Sequence, residues 1–250
     1  MASRFPGFPP EMISFFAGLE GHNKREWFQV RKPLYEEKVK APMAELVEWV
    51  NGELIGFAPD HVNEPKRAIY RIYRDTRFSK NKTPYKTQIG AIFPRRGLPK
   101  HGGGGYYFHV SHREVVVAGG AYMPEKEELL AIRTHVAAEF EEFEKLTRAR
   151  RLRSLFGELR GECLSRAPKG FSPDDPAAAA LRHKQWYFSV TLDPELATTA
   201  GFGREVIRRF RALKPFVDFL NDPLLARRRE RGADPAFTFR APASRRRAPR

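Results

Sequence analysis

The sequence predicts an α+β fold in which helices pack on one face of a mostly antiparallel sheet. Two observations lead to this fold class. Apolar residues recur with helical spacing at both ends of the chain, whereas several short segments between them alternate apolar and polar residues. Turns that contain Gly or Pro separate these segments, and such short connections favour an antiparallel meander. At 250 residues, the chain is expected to form one large domain.

The N-terminal part is predicted to be helical. Asn23 and Glu26 have the spacing of a capping box, in which each side chain satisfies a backbone N–H at the start of the helix. Pro33 and Pro42 are expected to kink or restart the helix, because proline lacks a backbone donor and clashes with the preceding turn. After Pro42, one apolar helical stripe is predicted from Met43, Leu46, Val47 and Val50.

From Ala68 onward the apolar period changes to two, which is typical of β-strands. In the first such segment, Arg71 and Arg74 would emerge on opposite faces of the strand. In the last, Trp186 and Phe188 begin the clearest alternation of the chain. The predicted strands are residues 68–74, 87–93, 106–110, 115–118 and a returning strand at 186–192.

The C-terminal part is predicted to return to helices. Pro124 and the glutamates after it are expected to open one helix. A last helix, with an apolar face from Val206 onward, is expected to end at Asn221-Asp222-Pro223. We therefore expect a single domain at residues 1–222. Residues 223–250 are rich in Arg and Pro, have few large apolar side chains and are expected to form a disordered basic tail.

Composition excludes several classes of protein. No stretch of about 18 apolar residues occurs, and the N-terminus has no apolar run like that of a signal peptide, so no membrane partner and a cytoplasmic location are expected. Cys163 is the only cysteine, which excludes intrachain disulfides and thiolate-rich metal sites. We expect Cys163 to be buried as a small apolar side chain.

The positive charge is concentrated in two places. The chain has a formal net charge of +15. Residues 224–250 contain nine Arg and two acids, while residues 66–86 contain eight Lys or Arg and a single acid, Asp75. Charge gathered in this way indicates an anionic partner more strongly than a general aid to solubility.

Residues 66–86 are the predicted functional segment, as a site for a phosphorylated or other anionic ligand. Clustered cations repel one another unless an anion offsets them, and Arg and Lys are the side chains that bind phosphate and carboxylate groups. Asp75 is the expected catalytic residue, as a base, as a metal ligand or by orienting an arginine. The alternative is structural, with Asp75 paired to Arg71 or Arg74 and the lysines in solvent. The expected ligand-binding residues here are Arg71, Tyr73, Arg74, Arg77, Lys80, Lys82, Tyr85 and Lys86.

Three stretches resemble the signature motifs of the bacterial "domain of unknown function 2461" family. They are residues 22–28 (HNKREWF), residues 71–86 (RIYRDTRFSKNKTPYK) and residues 168–171 (PKGF). The resemblance runs from about Phe8 to Asn221 and implies a single domain without the tail, but it implies no reaction. Two positions depart from the family pattern: Asn81 stands where the pattern has Asp, and Tyr122 lies near a Trp position. Because Asn81 is neither a base nor an anionic metal ligand, Asp75 is the better acidic candidate.

Other segments offer weaker candidate sites. Lys169 and Arg182 would join the basic segment if the 168–176 loop folded beside it, although turn chemistry alone explains that loop. The glycines at 102–105 lack the Gly-Lys-Ser/Thr ending of a phosphate-binding loop, which favours a hairpin or mobile loop. The seven scattered histidines indicate no transition-metal site, whereas Asp75, or Asp174 with Asp175, would suit Mg²⁺.

Three functions are consistent with these features. The leading one is a binding or catalytic site for a small anionic molecule; the sequence does not decide whether the protein is an enzyme and identifies no cofactor. The second is nucleic-acid binding through the basic segment and the tail, with tyrosines stacking on bases. The third is a scaffold that binds an acidic protein. A concave basic pocket would favour the first, and an open basic stripe the others.

Overall fold

The computed structural model describes residues 5–230 and Gly232. The chain forms an N-terminal group of helices, then three strands, then further helices, a fourth strand and a long final helix. The α-helices are α1 (Pro10–Gly21), α2 (Arg25–Tyr35), α3 (Ala41–Ile55), α4 (Pro65–Ala68), α5 (Lys126–Ala138), α6 (Phe140–Thr147), α7 (Arg150–Phe156), α8 (Ala178–Leu181) and α9 (Phe202–Glu230). The strands are β1 (Gln88–Pro94), β2 (Gly105–Ser111), β3 (Val115–Ala121) and β4 (Trp186–Leu192).

The four strands form one antiparallel sheet in the order β1-β2-β3-β4. Alternate residues of each strand, such as Phe93, Phe108 and Phe188, are buried on the face that α9 covers. Gly119 permits close packing there, since a Cβ at this position would lie 2.8 Å from Leu213 Cδ1. The α+β prediction, with helices packed on one face of an antiparallel sheet, is confirmed.

The apolar patterns that predicted the helices correspond to buried faces. Met43, Leu46, Val47 and Val50 of α3 are fully buried. The apolar residues predicted for the last helix, from Val206 to Leu220, are buried as well. Burial of such stripes against one another and against the sheet is the main stabilising contribution to a fold of this kind.

The predicted strand at residues 68–74 is wrong. Ala68 ends the single-turn helix α4, and the residues after it make only isolated bridges, Ile69 with Ala91 and Tyr73 with Tyr85. The backbone N–H of Arg74 donates to Pro84 O at 2.9 Å, but Pro84 has no N–H to return the bond, so a regular ladder cannot continue. The segment is therefore extended but irregular, and it lies along the edge of β1.

The capping box predicted at Asn23 is also wrong. Lys24 occupies the N-cap of α2, and no side chain caps this helix. Asn23 instead bonds the backbone of Tyr85, accepting from its N–H at 3.1 Å and donating to its carbonyl at 3.0 Å. Pro33 lies inside α2, and a π-helical turn at Glu36–Lys40 connects α2 to α3, so the prolines distort one long helical segment without ending it.

The last helix continues beyond its predicted end. Pro223 lies inside α9, which extends to Glu230. Leu224 is buried against the core, and Arg227 Nη1 donates to Glu127 O at 2.6 Å, so packing and hydrogen bonding hold the extra turns to α5. The predicted boundary at residues 222/223 remains a prediction, and most of the predicted tail, residues 231 and 233–250, lies outside the described residues.

Candidate functional site

The face of the sheet opposite α9 carries a cavity of about 600 Å³. Its floor is made by the strand residues that alternate with the core residues, so their side chains point away from the helices. Residues that precede β1 and the loop that precedes β2 form the basic end of the cavity. The turn that follows β3 forms the opposite end. The floor is lined by Gln88, Gly90 and Ile92 of β1, Tyr107 and His109 of β2, Val116, Ala118 and Gly120 of β3, and Tyr187 and Ser189 of β4.

Aromatic and small residues shape this floor. A Cβ at Gly90 would lie 2.9 Å from His109 Cβ and 3.1 Å from Tyr107 Oη, so glycine makes room for Tyr107 to lie across β1. Tyr107 Oη is 3.0 Å from His109 Nδ1, which holds the phenol in place, and burial raises the pKa of Tyr107. At the opposite end, Tyr122 contacts Tyr187 edge to face, with ring centroids 5.2 Å apart. The cavity is therefore mainly apolar and aromatic.

Two lysines form the basic end of the cavity. Lys86 Nζ lies 5.0 Å and Lys100 Nζ 4.9 Å from the centroid of the Tyr70 ring, so both ammonium groups make cation–π contacts with one phenol. Lys100 Nζ also donates to Arg67 O at 3.0 Å. In the described part of the chain, no acidic side chain offsets either charge.

The surroundings of these lysines disfavour their charged forms. Burial lowers the pKa of Lys86, and the neighbouring charges of Arg71 and Lys100 lower it further. Partial removal from water also lowers the pKa of Lys100, although this side chain lies at the exposed rim. Two ammonium groups that contact one ring without a counter-charge are an arrangement that a bound anion stabilises.

A neutral pair completes the basic end. Tyr70 Oη is 3.5 Å from His101 Nδ1, and the two rings are stacked at 6.1 Å. Burial raises the pKa of Tyr70 to about 12. Burial and the charge of Lys100 lower the pKa of His101. Both side chains are therefore neutral at pH 7 and contribute hydrogen-bonding groups, with no charge, beside the two lysines.

The glycine run before β2 positions Lys100 and His101. The backbone N–H of Gly104 donates to Asn221 Oδ1 at 2.8 Å, and Asn221 Nδ2 donates back to Gly104 O at 3.0 Å. Gly102 and Gly103 direct their N–H groups to Pro99 O, so these three amides are already bonded and do not form a phosphate cradle. The run is thus an ordered loop fastened to α9.

The predicted catalytic residue, Asp75, lies in the exposed loop of residues 74–83, outside the cavity lining. It forms a bidentate ion pair with Arg77, with Nε to Oδ1 at 3.0 Å and Nη2 to Oδ2 at 2.7 Å. Hydrogen bonds from the side chain and backbone of Arg77 lower the pKa of Asp75 to about 2. A carboxylate held so strongly in its charged form is a weak base at neutral pH.

Of the predicted ligand-binding residues, Lys86 lines the cavity. Arg74 Nη1 bonds the hydroxyl and carbonyl of Thr83 within the loop. Tyr85 is buried, with its ring stacked on Phe28 at 4.3 Å, and this packing occupies its face. The remaining predicted residues of the segment, Arg71, Tyr73, Arg77, Lys80 and Lys82, are exposed on the loop or beside it.

Lys169 is not brought to the basic segment. It lies on a separate surface groove of about 640 Å³ that is also lined by Arg166 and Arg182 and by no residue of 66–86. Asp175 stabilises a turn in this region, since its Oδ1 accepts from the N–H of Ala177 at 2.7 Å. Within residues 5–230, no three His, Cys, Asp or Glu side chains gather to hold a metal ion. Cys163 is exposed, contrary to the prediction that it is buried.

Most of the cavity residues were not predicted from the sequence. The glycines at 102–105 were considered only as a possible phosphate-binding loop, and no role was predicted for Lys100 and His101 beside them or for the strand residues of the open face. The available signal was that these positions include Tyr107 and Tyr187, which is unusual for a solvated sheet face. Aromatic residues at such positions indicate a binding surface for a ligand or another molecule.

Comparison with known proteins gives a family and no activity. The family model described as "Conserved hypothetical protein (DUF2461)" matches residues 11–219, which include the cavity and the loop. Neither the curated proteins nor the solved structures give a significant match. In the portion covered by residues 5–230, none of the helices has the length and apolar character needed to cross a bilayer.

Proposed function

This chain belongs to the DUF2461 family of conserved hypothetical proteins, and we propose from its own geometry that it binds a small anionic molecule in the cavity on the open face of its sheet. Lys86 and Lys100 hold the negatively charged group, which is a phosphate or a carboxylate. The aromatic floor holds an apolar, planar part of the same molecule. Mostly apolar pockets with a few converging polar groups are typical of small-molecule sites.

The observation that carries this proposal is the pair of uncompensated lysines on the Tyr70 ring. Each ammonium group lies within 5.0 Å of the ring centroid, and no acidic side chain in residues 5–230 offsets their charge. A stable fold gains little from two like charges that contact the same ring and are partly removed from water. A ligand anion provides the missing counter-charge.

The proposed anion site lies in the cavity and not on the loop that the sequence predicted. Only the end of the predicted segment, at Lys86, and Tyr70 within it contribute to the cavity lining. Asp75 lies outside the lining, so we assign it a role in holding the loop through Arg77. The alternatives of a nucleic-acid-binding protein and of a scaffold concern the exposed loop, whereas the concave shape of the cavity favours a small ligand.

Removing the two lysines should weaken anion binding strongly. With phenyl phosphate as the probe, the Lys86→Ala and Lys100→Ala variants should each bind about tenfold more weakly, and the double variant about 100-fold more weakly. Each loss corresponds to one charge-assisted contact. Isothermal titration calorimetry measures the affinities, and inorganic phosphate as a second probe should bind more weakly than phenyl phosphate, because it lacks the ring that the floor would hold.

The controls separate a specific site from general basicity. Lys80→Ala removes the same charge from the exposed loop, and Lys184→Ala removes it from a surface pair with Glu162. Both variants should bind phenyl phosphate within twofold of the unmodified protein. Equal losses in Lys86→Ala and Lys80→Ala would contradict the proposal, as would a double variant that binds normally.

A further inference from the structure

Phe78 stands out on the exposed loop of residues 74–83. Its side chain is 95% exposed, the highest value among the large apolar residues in the described part of the chain. A ring so exposed to water contributes almost no apolar burial to the fold. Phe78 also lies within the motif of residues 71–86, and the cavity makes no use of it.

The loop that presents Phe78 is held by its own hydrogen bonds. Lys82 Nζ donates to Thr76 O at 2.9 Å, which closes the loop across the position of Phe78. Asn81 Oδ1 accepts from the backbone N–H of Thr83 at 2.9 Å and from its hydroxyl at 2.8 Å. The bidentate pair of Asp75 and Arg77 fixes the other side. A loop ordered in advance loses less conformational entropy when it binds a partner.

Positive charge surrounds the ring. The Arg77 guanidinium lies 5.7 Å from the centroid of Phe78, and Lys80 is exposed two residues further along the chain. Arg71 connects this loop to the cavity electrostatically, because its charge lowers the pKa of both Asp75 and Lys86. The exposed ring is thus bordered by cations, and Asp75 is the only acid in the loop sequence.

We propose that the loop of residues 74–83 is a second binding site, separate from the cavity, for single-stranded nucleic acid. The face of Phe78 stacks on one base, while Arg71, Lys80 and Lys82 contact the neighbouring phosphates. Single-strand binding surfaces combine these two elements, an aromatic platform and a row of cations. The site is selective for unpaired bases, because stacking needs a base face that a duplex does not expose.

The composition of the loop favours a nucleic acid over a membrane or a protein. Phe78 is the only large apolar side chain between Arg74 and Lys82, and stable membrane attachment needs more buried apolar surface than one ring provides. A protein partner would be expected to meet a larger apolar surface with a polar rim. A single ring among cations matches the alternating base and phosphate of a nucleic-acid strand.

The ring itself is the feature to test. Fluorescence anisotropy with a labelled dT12 oligonucleotide, at fixed salt and with the full chain, gives the affinity of each variant. Phe78→Leu keeps every charge and an apolar side chain but removes the stacking face, so it should bind roughly tenfold more weakly. Phe78→Tyr keeps the face and should bind within twofold of the unmodified protein. Residues 223–250 are identical in all variants, so differences in affinity between the variants report on the ring.

Three results would overturn the inference. One is an unchanged affinity for dT12 in Phe78→Leu. The second is equally tight binding of polyglutamate with the same dependence on Phe78, which would indicate an acidic protein partner. The third is binding to vesicles of anionic lipid that Phe78→Leu retains while dT12 binding is absent. The double lysine variant should keep its affinity for dT12, so failure here is distinguishable from failure of the cavity proposal.

Discussion

Replacing Gly120 with alanine is expected to reduce the free energy of unfolding by about 4 kcal/mol, because the new side chain has no space. Gly120 has a φ of +133°, a conformation that other residues rarely adopt. A Cβ here would lie 2.1 Å from Trp186 O and 2.7 Å from Tyr187 Cα, both of them backbone atoms of β4. The pairing of β3 with β4 must open to relieve the clash. Urea unfolding measures the loss.

Gly157 provides the matched control for this substitution. It also has a positive φ, +76°, but a Cβ at this position would meet nothing within 4 Å. Gly157→Ala should therefore reduce the free energy of unfolding only by the penalty of a positive φ for alanine, about 1 kcal/mol. Losses of similar size in the two variants would show that backbone conformation, and not the contact with β4, controls the effect at Gly120.

Replacing Asn221 with alanine should reduce the free energy of unfolding by about 3 kcal/mol, since two buried backbone groups lose their partner. Asn221 is fully buried in α9 and forms both hydrogen bonds to Gly104. The variant leaves the N–H and the carbonyl of Gly104 without these bonds. Because the same loop carries Lys100 and His101, the affinity for phenyl phosphate should fall as well.

Asn51→Ala is the comparison for Asn221→Ala. Asn51 makes the same kind of two-bond contact, donating to Asn63 O at 2.7 Å and accepting from its N–H at 3.2 Å, but in a half-buried position where water can replace it. The Asn51→Ala variant should lose about 1 kcal/mol of the free energy of unfolding and should bind phenyl phosphate as the unmodified protein does. A larger loss of stability in Asn51→Ala than in Asn221→Ala would contradict this account of the glycine loop.

The sequence predicted the fold class because the periods of its apolar residues report directly on burial. The stripe at Met43 and Val50, and the alternation from Trp186, each describe one element and need no knowledge of its neighbours. The roles of Asn23 and Asn221 were not predictable in this way. Their partners, Tyr85 and Gly104, are 62 and 117 residues distant in the sequence. Local spacing therefore indicated a helix cap at Asn23, whereas in the structure the Asn23 side chain bonds the distant backbone of Tyr85.

The candidate site was predictable only in part. Charge density identified residues 66–86, and Lys86 of that segment lines the cavity. The cavity itself exists because none of the helices within residues 5–230 contributes to its lining, and because a glycine run brings Lys100 beside Tyr70. Both conditions depend on tertiary packing, which charge density along the sequence does not report. The anion site was therefore predicted on the exposed loop.

A crystal structure of the protein with phenyl phosphate tests the central proposal most directly. We predict a phosphate group in contact with both Lys86 Nζ and Lys100 Nζ, and a phenyl ring inside the cavity above Gly90 and beside Tyr107. A phosphate bound to Arg71 or Lys80 on the loop, with the cavity unoccupied at saturating ligand, would contradict it.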